Sequence, residues 1–148
     1  MNTAAYQTHA PIEAQQVPDD ARIHTLPRHF GWHMLTVEDA AYRWMRRLAP
    51  EYSGGYWHFY ELSNGGFYMA PECGPWLLRV EGNGYEGLMS SQAAGITACL
   101  FAFSHLSFRI PDEVISSHYY QLRDFAVEHQ EAGRNPRSDR LIGPSGRT

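Results

Sequence analysis

The sequence predicts an α+β fold, an antiparallel β-meander with three main helices packed on it. Three observations carry this. Apolar residues recur at helical spacing in Thr36–Pro50 and again after Pro111. Between them, short alternating segments are separated by Gly and Asn turns. A long uncharged segment, Gly87–Phe108, then follows the last turn. Helix, strands and two helices in that order describe helices gathered on an antiparallel meander.

The 148 residues suit a single domain. Its expected limits are 19–132. Met1–Pro18 is polar and aperiodic and reads as a flexible arm. Asp19–Trp32 is short and mixed, and reads as a helical turn followed by loop. Thr36 is placed as an N-cap, with Glu38 and Asp39 in the first turn. Val37, Ala41, Trp44, Met45 and Leu48 share one face, Arg46 and Arg47 occupy the last turn, and Pro50 ends the helix.

Gly54–Pro71 reads GGYWHFYELSNGGFYMAP. Asn64-Gly65 is the strongest short hairpin signal, because a type I′ turn needs positive φ at both central residues. A two-residue turn there sets Leu62 opposite Phe67. One face is then Tyr56, His58, Tyr60, Leu62, Phe67 and Met69; the other is Trp57, Phe59, Glu61, Tyr68 and Ala70. A sheet apolar on both sides is covered twice or offers one side to a partner. Glu61 is the only charge in the hairpin, which favours water on its face. Trp57, Glu61 and Tyr68 are therefore the candidate interaction surface.

Trp76–Glu81 and Tyr85–Met89 read as two further strands joined by Gly82-Asn83-Gly84. Ser90 or Ser91 caps an apolar helix over about Gln92–Leu106, with Gly95 a weak spot inside it. The last helix starts at Pro111, carries a stripe of Ile115, Tyr119, Leu122, Ala126 and His129, and stops at Gly133. Residues 133–148 read as a disordered basic tail, with Arg134, Arg137, Arg140 and Arg147 against Asp139.

Charge and composition bound the function. The net charge of −4 is too weak for a polyanionic DNA mimic. The continuous apolar part of Gly87–Phe108 is too short to span a membrane, and no basic cluster flanks it. Met1–Ala10 lacks the basic start and apolar run of a signal peptide, and Cys73 and Cys99 show no metal spacing. A cytoplasmic protein with reduced thiols is expected.

Chemical motifs are sparse. Gly82–Gly87 matches GxGxxG, but it leads into a strand, and no acid follows at ribose-binding distance, so a hairpin turn explains it. His29 and His33 have a zinc-compatible spacing, but Gly31 lies between them and no third ligand is evident. His58 and Glu61 sit on opposite faces of a strand and cannot form a local acid–base pair. No catalytic residues, cofactor or metal are assigned. The basic tail gives weak, salt-sensitive contact with nucleic acid at most, and no specific nucleic-acid partner is expected.

Val17-Pro18-Asp19-Asp20-Ala21-Arg22, Leu26–Gly31, the whole of Gly54–Pro71, Gly82-Asn83-Gly84 and Ser91–Ile96 together resemble the KlcA/ArdB antirestriction proteins. The match covers most of Val17–Phe103. The resemblance implies an α+β fold, carriage by plasmids and other mobile elements, and relief of type I restriction of unmodified incoming DNA. It supplies no catalytic residues. The expected function is non-enzymatic antirestriction through contact with a host protein, whether the restriction system itself or another. A small nucleic-acid-binding accessory protein is the alternative, and an enzyme using His58 or the His29/His33 pair is a third.

Overall fold

The computed structural model describes residues 10–132. At its centre lies the aromatic hairpin, β2 (Trp57–Leu62) and β3 (Phe67–Pro71). β1 (Ala14–Gln16) adds antiparallel to the free edge of β2, so β2 is the middle of three strands. β4 (Trp76–Val80) and β5 (Tyr85–Met89) form a separate two-stranded sheet, so the expected meander is divided in two. Four α-helices complete the described chain: α1 (Arg22–Phe30), α2 (Met34–Leu48), α3 (Ser91–Arg109) and α4 (Glu113–Ala132). The last three are the long helices expected from the sequence.

The hairpin register differs by one residue from the expected one. Glu61 pairs with Phe67, Tyr60 with Tyr68, Phe59 with Met69 and Trp57 with Pro71. Gly65 has φ 94° whereas Asn64 has no positive φ, so a type I′ turn is absent. The loop instead has three residues, Ser63–Gly65. It is closed by Gly65 N–H donating to Leu62 O at 2.9 Å and by Leu62 N–H donating to Gly66 O at 3.0 Å. A distant contact supports this choice. Asn64 Nδ2 donates to Gln121 O of α4 at 3.0 Å, while Asn64 Oδ1 accepts from Gly66 N–H at 3.0 Å. The one-residue change carries the β3 side chains to the opposite faces. Trp57, Phe59 and Glu61 now share a face with Phe67 and Met69; His58, Tyr60 and Leu62 share the other with Tyr68 and Ala70.

Both faces are covered. On the first, α1 sets Phe30 5.7 Å and His29 5.2 Å from Phe67, ring centre to ring centre. Tyr42 of α2 packs edge-on to Trp57, whose indole N–H donates to Tyr52 Oη at 2.7 Å. On the second, Tyr60 stacks on Tyr68 at 4.6 Å, Tyr68 stacks on Phe125 of α4, and Tyr68 Oη donates to Gln92 of α3. The aromatic run of the hairpin is therefore core.

Two expectations about the N-terminal third are corrected. The described part of the 1–18 arm is docked: β1 pairs with β2, and Val17 is buried with its N–H donating to Phe59 O at 2.8 Å. Asp19–Trp32 is more than a turn and loop. A 3-10 turn at Asp19–Ala21 leads into α1, which buries Thr25, Leu26 and Phe30 despite Pro27 within it, and Gly31 stops it at φ 52°. A second 3-10 turn, Gly31–His33, runs straight into α2, so Thr36 lies inside the first turn and is not its cap.

The later elements follow the sequence more closely. Val37, Ala41, Met45 and Leu48 are the buried stripe of α2. Ser90 caps α3, its Oγ accepting from Ala93 N–H at 3.1 Å. Small residues let α3 approach β3 closely: a Cβ on Gly95 would lie 2.4 Å from Met69 O and 2.5 Å from Ala70 Cα. Gly95 is thus a close-approach site, which outweighs its helix-propensity cost. On α4 the buried stripe is Ile115, His118, Leu122 and Phe125, rotated from the expected one. Among the described residues no helix is long and apolar enough to cross a membrane. The basic tail expected over 133–148 lies outside the described residues.

Candidate functional site

The three residues expected to form an interaction surface do not form one. Trp57 is 2% exposed and Tyr68 1%, and the observed register sends Tyr68 to the opposite face from Trp57. Both are aromatic anchors of the core. Glu61 alone keeps access to solvent, its side chain 35% exposed.

Glu61 is instead the open end of a polar chain that joins three elements. Its carboxylate accepts from Arg28 and from His29 Nε2, the latter at 2.8 Å; both partners lie on α1. His29 Nδ1 lies 2.9 Å from His118 Nε2, and His118 Nδ1 lies 2.9 Å from Val114 O, both on α4. The proton positions follow from the inner end. A carbonyl only accepts, so His118 Nδ1 carries the proton and Nε2 accepts from His29 Nδ1. The other ring nitrogen of His29, Nε2, faces the Glu61 carboxylate.

The environment fits this polarity. Burial lowers the pKa of His118, aided by the positive side of His29 and only partly opposed by the Val114 carbonyl. Its ring lies 4.4 Å from that of Phe30. Burial by itself would raise the Glu61 carboxyl, but the hydrogen bonds from His29 and Arg28, with their charge, outweigh it and hold the group below its usual range. The assembly ties α1, β2 and α4 together. Both bonds to the carboxylate fall on Oε2, and each ring nitrogen of His29 and His118 faces a partner within the fold, which suits a brace better than a reacting centre.

The remaining sequence candidates disperse. His33 does not join His29; its Nε2 pairs with Asp112 Oδ2 at 3.0 Å, linking the α1–α2 connection to the start of α4. His58 meets Gln16 of β1 at 3.1 Å and lies 3.8 Å from Glu72, on the face opposite Glu61. Among the described residues no three His, Cys, Asp or Glu side chains form a group that could hold a metal ion. Gly82 and Gly84 have φ 98° and 75° in the turn between β4 and β5, so the GxGxxG match is a hairpin. Cys73 is exposed; Cys99 is buried, and burial pushes its thiol up to about 12.

Sequence reasoning singled out Glu61 but missed Arg28, His29 and His118 as its partners, because they come from other elements. One signal was available for His118: it stands three residues after Ile115 and four before Leu122, within the buried stripe of α4.

Comparison with known proteins places the chain. The model of a family described as antirestriction protein matches residues 50–135. The antirestriction protein KlcA of Escherichia coli is 44% identical over 134 residues, which cover 85% of this chain and 92% of that protein. The uncharacterized protein YafX of Escherichia coli strain K12 is 42% identical over 135 residues, covering 86% and 88%. A solved structure from work on KlcA and ArdB is 41% identical, has a TM-score of 0.76, and is matched over 90% of this chain and 94% of that one. The KlcA and ArdB proteins are described there as having a novel fold and antirestriction activity against Type I DNA restriction systems in vivo but not in vitro. On sequence and on fold, this chain belongs to the antirestriction protein family.

Proposed function

We propose that the chain relieves type I restriction of unmodified DNA in the host cytoplasm through contact with a host protein, without catalysis and without imitating DNA. The observation that carries this is the family itself, with a 41% identical structural neighbour described as acting against Type I systems in vivo but not in vitro. An activity seen in vivo but not in vitro favours a further cellular component over a direct block of the restriction enzyme.

Two features support the negative parts of the reading. The imidazoles beside Glu61 are held in hydrogen bonds within the fold, and the one buried thiol is held protonated, so neither offers a ready nucleophile. A DNA mimic must present dense negative charge, about one per 1.7 Å of duplex axis. Here the acids are interleaved with arginines: Asp39 pairs with Arg43, Glu61 with Arg28, Glu81 with Arg47, and Glu86 with Arg79.

The test is expression in cells with and without an active type I system, followed by challenge with unmodified phage. Relief confined to restricting cells is expected. Duplex DNA displacing the protein competitively from a restriction complex would instead establish mimicry.

A further inference from the structure

The described residues carry eight arginines against fifteen acids, a balance of −7. Half of those arginines meet in one place. α2 and α3 lie side by side, and between them runs an open groove of about 380 Å³ that continues into a hollow of about 220 Å³ beside β4. Trp44, Arg47 and His105 line both parts. Arg43 and Arg109 line the first, and Arg79 lines the second. The acids of the lining are Asp39 and Glu81, so the groove is net positive by two on a body that is negative overall.

Helix geometry builds this concentration. Arg43 and Arg47 are four residues apart on α2, and His105 and Arg109 are four apart on α3. Each pair therefore lies along one helix face. At the centre Trp44 is stacked on Phe101 at 4.7 Å and 15°, with His105 4.7 Å away. The Arg47 guanidinium stands 4.7 Å over the Trp44 ring. Arg43 and Arg47 remain largely in solvent, with 70% and 58% of their side chains exposed. Their contacts with Asp39 and Glu81 are surface pairs, which a partner's carboxylate can exchange at small cost. Among the described residues Arg109 makes no ion pair.

We propose that this arginine- and Trp44-lined groove between α2 and α3 docks an acidic segment of a protein partner, one that places carboxylates on Arg43, Arg47 and Arg109 around an apolar side chain on Trp44. The proposal rests on the reading that the protein works through protein contacts, and it names the chemistry of that contact. Charge complementarity selects an anionic occupant. The surrounding negative body selects a short one: a nucleic-acid strand extends its phosphates beyond the groove, where the acids repel it within a Debye length of about 8–10 Å. Arginine forks match carboxylates two bonds at a time, and Trp and Arg are among the residue types enriched at interface hot spots.

The test uses the purified full chain, labelled with nitrogen-15. It is titrated with a twelve-residue peptide of alternating Glu and Leu, and separately with a twelve-nucleotide thymidine strand. The peptide is expected to move the Trp44 indole signal and the Arg43, Arg47 and Arg109 side-chain signals together. Arg43→Glu with Arg47→Glu should weaken its binding at least about tenfold, as the loss of two charge-assisted contacts requires. Arg109→Glu, on the other helix, provides a second reading, and Arg123→Glu, off the groove, should change nothing. No movement at the groove, equal binding by the reversed variants, or tighter binding of the thymidine strand overturns the proposal. Plating assays separate this from the functional reading. Wild-type relief that the groove variants retain in full overturns the groove alone. Absence of wild-type relief overturns the function, and the peptide titration still judges the groove.

Discussion

Replacing Gly95 by Ala tests the packing on which the whole site depends. The added Cβ would stand 2.4 Å from Met69 O and 2.5 Å from both Ala70 Cα and Ala70 Cβ. Ordinary carbon contacts begin near 3.5 Å, so α3 must withdraw from β3 by roughly 1 Å. The atoms in the way are mostly backbone of a paired strand and cannot rotate aside. Alanine in a helix gains up to about 1 kcal/mol over glycine, and overpacking a tight core costs about 1–3 kcal/mol or more. The retreat also opens the contacts of Ala98, Cys99 and Ala102, all fully buried on the same helix. A net loss of about 2 kcal/mol is expected, which for a domain of this size lowers Tm by roughly 8 °C. Urea unfolding followed by far-UV circular dichroism measures it. An unchanged or raised midpoint would show that only helix propensity acts at this position, and would refute the close approach.

Three further outcomes follow from the same geometry. Trp57→Ala should cost about 3–5 kcal/mol of folding stability, because it empties a buried site and strands the Tyr52 hydroxyl; a variant of normal stability would contradict the core assignment. Folding stability should fall as pH drops below the ordinary His118 value of 6.5, because the unfolded chain then takes up a proton that the folded, depressed His118 refuses. Glu61 adds to the loss in the same direction below 4.5, since its folded carboxyl is also depressed. His118→Phe should remove up to about 1.4 kcal/mol per pH unit of the upper slope, and an unaltered slope in pH-dependent urea titrations would count against a neutral buried His118. A chain ending at Ala132 should keep its restriction relief, since the proposed contact lies in the helical groove; loss of relief in the plating assay would move the site to the basic tail.

What the sequence revealed was mostly local. The turns at Gly82–Gly84, the Ser90 cap and the α2 stripe rest on φ requirements and periodicity within a few residues, and these hold in the fold. What it hid depends on partners far away. Ala14–Gln16 has no β-branched or aromatic residue and becomes a strand because the edge of β2 is open to it. The hairpin register goes with the Asn64–Gln121 contact, fifty-seven residues apart, so the Asn-Gly signal located the turn but not its length. That single residue misplaced Tyr68, while Trp57 stays on the face of Glu61 and is lost to the surface because Tyr42 and Tyr52 cover it. Glu61 stood out as an isolated charge, whereas the brace it completes joins α1, β2 and α4 and has no sequence spacing of its own.

The most direct measurement is efficiency of plating of unmodified phage on a host with an active type I system, with the chain expressed from an inducible promoter. Modified phage on the same cells report any general effect on infection. Unmodified plating should rise with induction toward the modified level, while modified plating and plating on a restriction-deficient host stay constant. Unmodified plating that stays at the uninduced level while the folded protein accumulates would contradict it.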